Sequence, residues 1–252
     1  MFLLTPNRLT ALACACITLA SASASCAEDS NACRSDAMIV FDASGSMGTT
    51  DYALKIPRIA RLKQSLGVVV PEVAPVRKLG LIVYGEGAYD DCNAIQLHMR
   101  PTANAADRLL GIVETINPRG RTPLTESVRQ AAEALDYKRQ PAVIVLVTDG
   151  EETCGGDPCI LGTQLEQSGL DVTVHVIGYR EGGGGVDYFR SRCIADATGG
   201  RYFAVSTEDE LIKALRQTLG CPFLTEGPPH RFATLSQCRP AGTATATRYC
   251  HR

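Results

Sequence analysis

The chain has 252 residues, 45% of them hydrophobic and 21% charged, with a formal charge of −2 and no tryptophan. That length allows one α/β domain of roughly 180–200 residues with extensions at either end. A nearly neutral charge and only 6% aromatic residues supply neither a basic field nor stacking platforms, so nothing argues for an anionic membrane surface and nucleic acid is not an expected partner.

Residues 1–27 read as an export signal, with Arg8 as the only charge, an apolar run from Leu9 to Ala20, and then a Ser/Ala stretch. The run is too short for a bilayer, which needs about 20 apolar residues. No later stretch is long and apolar enough to span a membrane. The chain contains 11 cysteines. Removing Cys14, Cys16 and Cys26 by cleavage after Ala27 leaves an even set: Cys33, Cys92, Cys154, Cys159, Cys193, Cys221, Cys238 and Cys250. An even set in an exported chain implies disulfides and an oxidising compartment: periplasm, cell envelope or exterior. The rival reading keeps Cys26 as a lipid-modified N-terminus, although Ser23 stands where lipoprotein signals usually carry Leu.

The first strand is expected over Asp36 to Phe41, a continuous apolar run of the kind buried on both faces of a parallel sheet. Pro57 suits a first helical residue, and Ile59, Leu62, Leu66 and Val69 then share one helical face, with Pro71 and Pro75 as terminators. Leu79 to Tyr84 reads as the second strand, GEGAYDDC as a turn, and Ala94 to Met99 as a third strand folded back on the second. A helix over about Ala103 to Ile116 carries Leu109, Leu110, Ile112 and Val113. Thr122 then stands as the N-cap of a helix that starts at Pro123 and reaches about Leu135. Ala142 to Val147 is another fully apolar strand and ends in Thr148-Asp149-Gly150. A short helix, a strand over Asp171 to Ile177, a link at Gly182 to Gly185 and a helix to Ala197 with Gly199 and Gly200 as terminator follow. Arg201 to Ala204 is the last strand, and Thr207 with Glu210 forms a capping box for a helix ending near Gly220. Residues 221–252 alternate like strands around the turn Arg239-Pro240-Ala241-Gly242, giving either a disulfide-pinned hairpin or a mobile tail.

Alternating strands and helices predict an α/β, doubly wound, mostly parallel sheet with one antiparallel edge strand and helices on both faces. Ligands of such sheets bind beyond the carboxyl ends of the strands, where strand order reverses. Asp42 and Asp149 stand at the carboxyl ends of the two most apolar strands. Asp42, Ser44 and Ser46 alternate and in an extended segment point to one side, with Gly45 allowing a tight turn between the serines. With Thr122 and Asp149 they make a set of hard oxygen donors suited to Mg²⁺, Mn²⁺ or Ca²⁺ rather than zinc.

The DASGS segment, the Thr of GRTPL and VTDG, in that order at strand ends and a helix start, resemble the metal-ion-dependent adhesion site of von Willebrand factor A domains. The resemblance covers about Ala37 to Gly220, which sets the domain at 33–220. It implies that Ser44, Ser46 and Thr122 bind a divalent metal through their hydroxyls, while Asp42 and Asp149 act directly or through water. The remaining position would belong to an Asp or Glu carboxylate of a partner protein. Neutral hydroxyl ligands leave much of the metal charge unneutralised, so the open position prefers an anion. Arg121 could help to attract an acidic partner. Glu151, Glu152, Asp90 and Asp91 read as a solvated acidic rim, with a second cation site as the alternative.

Cys33 and Cys221 are expected to meet at the base of the sheet, closing a loop worth about 4–5 kcal/mol in the chain-entropy model. Cys238 and Cys250 would pin the tail. For the rest, Cys92–Cys154 with Cys159–Cys193 is favoured, and a local Cys154–Cys159 bond is the alternative. His98, His175, His230 and His251 show no catalytic or ligand spacing, and neither a nucleophile elbow nor a phosphate loop is present. The expected function is therefore an exported protein-binding domain and not an enzyme. The alternatives are a metal-dependent enzyme or chelatase-like subunit, or a structural envelope domain with an unused metal site.

Overall fold

The computed structural model describes residues 35–50, 55–179 and 188–221. The signal segment, the glycine link at 182–185 and the tail beyond Cys221 lie outside the described residues. The described strands are β1 (Asp36–Asp42), β2 (Leu79–Tyr84), β3 (Ile95–Thr102), β4 (Ala142–Thr148), β5 (Val172–Tyr179) and β6 (Tyr202–Val205). The described helices are α1 (Arg58–Val73), α2 (Ala106–Thr115), α3 (Leu124–Ala134), α4 (Pro158–Ser168), α5 (Tyr188–Ala197) and α6 (Glu208–Leu219).

The strands form one sheet in the order β3-β2-β1-β4-β5-β6. Every neighbouring pair is parallel except β2 with β3, which makes β3 the antiparallel edge strand. The sheet is the doubly wound architecture expected from the alternation of elements. Its two central strands lack polar alternation because both faces are covered. Ala37, Ile39 and Phe41 of β1 pack into a core with α1, α2 and α6, while Met38 and Val40 pack into the opposite core with α3, α4 and α5. Each fully buried Val, Leu or Ile stabilises the fold by about 1.5–3 kcal/mol, so these strands hold the middle of the sheet. The chain moves outward from β1 to β2 on one side and enters β4 on the other, so the order reverses between β1 and β4. Asp42 and Asp149 lie beside that crevice.

Several boundaries differ from expectation for physical reasons. Pro71 does not stop α1 but lies inside it, and the Ala74 N–H still bonds the Val70 carbonyl at 2.9 Å. The carbonyl four residues before the proline ring belongs to Gly67, and one lost bond near the last turn is tolerable. Pro57 precedes that helix as its cap rather than opening it. β3 continues through Pro101 to Thr102, which an edge strand permits because one side of its backbone is unpaired. In α2, Leu109 and Val113 are buried, whereas Leu110 and Ile112 are only partly covered. The capping box of α6 forms as read, with Glu210 N–H donating to Thr207 Oγ1 at 3.2 Å and Thr207 N–H to Glu210 Oε2 at 3.3 Å. The end of α5 also follows the sequence, with Gly200 N–H reaching back to the Ala195 carbonyl at 2.8 Å.

Candidate functional site

At the end of β1 the Asp42 side chain has 0% exposure. Its Oδ1 accepts the Ser44 N–H at 2.7 Å, an Asx turn that lifts the chain off the strand. A single 3-10 turn then covers Gly45–Gly48. The serines therefore do not alternate along an extended segment, as the sequence suggested. The turn folds Ser46 back, leaving the two Oγ atoms 3.1 Å apart. Gly45 serves close approach and not the turn itself. Its N–H donates to the Gly120 carbonyl at 2.9 Å, and an added Cβ would stand 3.3 Å from the Arg119 carbonyl oxygen.

At the end of β4, Thr148 Oγ1 donates to Asp42 Oδ2 at 2.6 Å, and Tyr84 OH donates to Thr148 Oγ1 at 3.2 Å. The direction follows from chemistry, because an ionised carboxylate can only accept and so takes the threonine proton. The same logic orders the outer half of the site. Ser46 Oγ donates to Asp149 Oδ1 at 2.7 Å, which leaves the Ser46 oxygen to accept from Ser44. The other Asp149 oxygen accepts from the Arg58 guanidinium at 2.6 Å, with both side chains buried (7% and 0% exposed). Burial, reinforced by the charge of Asp149, raises the Asp42 pKa to about 6 against the opposing hydrogen bonds from Ser44 and Thr148. Burial also pushes the Tyr84 hydroxyl well above its ordinary value.

Thr122 reaches this neighbourhood through the segment before α3. Arg119 N–H bonds the Ala43 carbonyl at 2.9 Å and Gly120 N–H the Gly85 carbonyl at 2.7 Å. Gly85 has φ of +84°, and a Cβ there would meet the Ser44 nitrogen at 2.5 Å. Only glycine fits that crossing. Thr122 is not the N-cap expected for α3, since Pro123 occupies that position. Glu152 Oε2 instead accepts from Thr125 N–H at 2.7 Å at the helix start. Thr122 is bonded to Thr153 through its backbone, donating its N–H to the Thr153 side-chain Oγ1 at 2.9 Å and accepting the Thr153 N–H on its carbonyl at 3.1 Å. Thr122 is 5% exposed, and among the described residues its hydroxyl makes no hydrogen bond.

Asp42, Ser44, Ser46 and Asp149 thus form a contiguous cluster, with Thr122 two residues beyond Gly120, which pairs with Ser44. Sequence reasoning missed Thr148, Tyr84 and Arg58. The first was legible as a hydroxyl at the end of a buried strand; nothing in the sequence pattern marked the other two.

The rim is fastened by Cys92–Cys154 (Cα–Cα 5.6 Å), joining the β2–β3 loop to the loop after β4, and by Cys159–Cys193 (5.1 Å), joining α4 to α5. The favoured pairing is the one formed. Cys159 lies in the first turn of α4. Cys221 is disulfide-bonded, and Cys33, its expected partner, lies outside the described residues. Glu152 spends both oxygens on the N–H groups of Thr125 and Cys154. Arg121 is exposed, with its guanidinium 3.3 Å from the Thr153 carbonyl. His98 pairs with Glu86 at 3.0 Å. His175 accepts the Arg201 N–H at 3.0 Å, and burial lowers its pKa to about 4. No described helix is long and apolar enough to cross a membrane.

Comparison with known proteins agrees with this fold. The von Willebrand factor type A domain model matches residues 37–152, the stretch that runs from β1 past Asp149. The Bacillus subtilis (strain 168) protein YwmC, itself uncharacterized, is 30% identical over 195 residues, 71% of this chain and 80% of its own. YwmD of the same strain is 27% identical over 213 residues, 79% of this chain and 90% of its own. An aerotolerance-related membrane protein from Bacteroides fragilis NCTC 9343 superposes with a TM-score of 0.57 at 22% identity, over 73% of this chain and 98% of that one. At that identity the structural likeness speaks for the fold alone. The YwmC relationship and the matched model together make this chain a member of the von Willebrand factor type A domain family.

Proposed function

We propose that the domain is an exported protein-binding module that holds a divalent metal, Mg²⁺ foremost with Mn²⁺ or Ca²⁺ as substitutes, and recognises an Asp or Glu carboxylate of a partner protein. One observation carries the reading. Two carboxylates and two serine hydroxyls converge at the sheet's reversal point, and Thr122, in the segment that pairs with Ser44 through Gly120, has a hydroxyl that makes no hydrogen bond among the described residues. All are hard oxygen donors, the ligand class of these metals. Asp42, Ser44, Ser46, Thr122 and Asp149 would hold the ion, and their mostly neutral character would leave it drawn to an anion. The disulfides support an oxidising location. The reading is of binding and not of catalysis, because the two described histidines are engaged away from the cluster and the described cysteines are disulfide-bonded.

Thr122→Ala tests it. The hydroxyl makes no hydrogen bond among the described residues, so thermal stability should fall only by the share of the lost methyl, about 1 kcal/mol. Calorimetric titration with Mg²⁺ should show one site in the wild type and loss of most of the affinity in the variant. Absence of Mg²⁺ binding by the wild type, or equal binding by the two, would sink the reading.

A further inference from the structure

Arg58 is placed where an arginine has little reason to be. It is the first residue of α1, where the helix dipole disfavours a cation. Its side chain is 7% exposed, where a charge is costly unless paired. It is nevertheless fixed with care: its N–H donates to the Thr49 carbonyl at 3.1 Å, and its own carbonyl accepts from the buried Tyr179 hydroxyl at 3.3 Å. The guanidinium reaches the Asp149 oxygen that Ser46 does not occupy, at 2.6 Å. A cation set against a helix dipole, buried, and ending on a site acid is a functional rather than a packing choice.

We propose that Arg58 is a built-in counter-cation of the site, which weakens metal binding and strengthens recognition of the partner's carboxylate. The inference rests on the metal-site reading above. Among the described groups, Asp42 and Asp149 carry two negative charges and Arg58 returns one. A divalent ion then leaves one positive charge in excess, and a carboxylate cancels it. Without Arg58 the two carboxylates would offset more of the ion's charge, and its pull on an anion would be weaker. The residue therefore trades metal affinity for anion affinity, and its removal moves the two in opposite directions. A purely structural role cannot do that, since loosening the site would weaken both.

The test compares wild type, Arg58→Gln, which keeps a neutral donor toward Asp149, and Arg58→Lys, which keeps the charge. Mg²⁺ affinity is read by calorimetry. Carboxylate affinity is read from the relaxation of acetate methyl protons by Mn²⁺-loaded protein. Arg58→Gln should bind Mg²⁺ on the order of tenfold tighter or more while acetate relaxation falls severalfold, and Arg58→Lys should stay near wild type in both. If the wild type binds Mg²⁺ and Arg58→Gln binds no tighter, or if acetate relaxation does not fall, the assignment of Arg58 fails and the metal site stands. If wild type and variants all fail to bind Mg²⁺, the metal-site reading itself fails and takes this inference with it. Should Arg58→Gln fold only with Mg²⁺ present, the competition is shown in extreme form. Should it fold under neither condition, Arg58 is structural and the proposal is overturned.

Discussion

The two acids at the crevice arise from one sequence design, an apolar strand running into an aspartate, yet the fold satisfies them by opposite means. Asp42, at the end of β1, is sealed from solvent and, among the described residues, held by neutral dipoles alone, the Ser44 amide and the Thr148 hydroxyl. Asp149, just past β4, is held by a full cation, Arg58, and by the Ser46 hydroxyl on its other oxygen. Neutral donors stabilise a carboxylate while leaving its charge for a ligand to use; a guanidinium cancels that charge before any ligand arrives. One site thus contains an anchor whose charge is met by dipoles and one whose charge is met by a cation.

The contrast is broken most strongly by Asp149→Ala. Removing one partner of a buried ion pair costs about 3–5 kcal/mol, because the other charge stays behind. Asp42→Ala strands only an amide and a hydroxyl and should cost about 1–3 kcal/mol. Urea denaturation of chelator-treated protein measures both. Pairing Asp149→Leu with Arg58→Met should recover most of the loss, since an apolar pair avoids the desolvation penalty. Equal costs for the two alanine variants would mean that Arg58 does not distinguish the acids.

The sequence carried the parts of this arrangement that depend on local pattern. The apolar runs that became β1 and β4, and the turn chemistry after each, placed Asp42 and Asp149 at one crevice, and the alternation of elements gave the sheet. An even cysteine set made disulfides readable, and the favoured of the two pairings around the site is the one formed. What stayed hidden depends on contacts across the chain. Arg58 reaches Asp149 over 91 residues and Tyr84 reaches Thr148 over 64, and neither position differs in pattern from an ordinary surface arginine or a strand tyrosine. Thr122 followed by Pro resembled a helix cap because caps and ligand hydroxyls draw on the same residues. The distinction came only from Glu152, which meets the helix start from a distant loop.

A smaller effect separates the two acids by pH. The folded-state pKa of Asp42 is raised to about 6 from 3.8, first by burial and then by the charge of Asp149. Between those values the folded chain binds more protons than the unfolded one, so this carboxyl's contribution is fully present below the lower value and is lost as pH rises through the upper. Its steepest slope is about 1.4 kcal/mol per pH unit. Metal-free wild type, compared with Asp42→Asn by urea denaturation, should therefore lose relative stability between about pH 4 and pH 6 and change little above about pH 7. Subtracting the variant removes the other carboxylates. A relative gain of stability across that window would show that hydrogen bonds outweigh burial at Asp42.

The finest distinction lies one step behind Asp42. Tyr84 donates to Thr148, which in turn donates to the carboxylate, so the tyrosine fixes the direction of the hydroxyl without touching the acid. Tyr84→Phe keeps the ring in the core and deletes one neutral bond, and should lower stability by about 0.5–1.5 kcal/mol. Thr148 still receives the Gly150 N–H at 3.2 Å and Asp42 still receives two donors. Mg²⁺ affinity, read by calorimetry, should fall by less than about threefold if the support of Asp42 is shared among several dipoles. A tenfold fall would place the control of this anchor in the buried tyrosine. Asp42 would then depend on a single distant group, as Asp149 depends on Arg58, and the difference between the two acids would lie in the charge of that group alone.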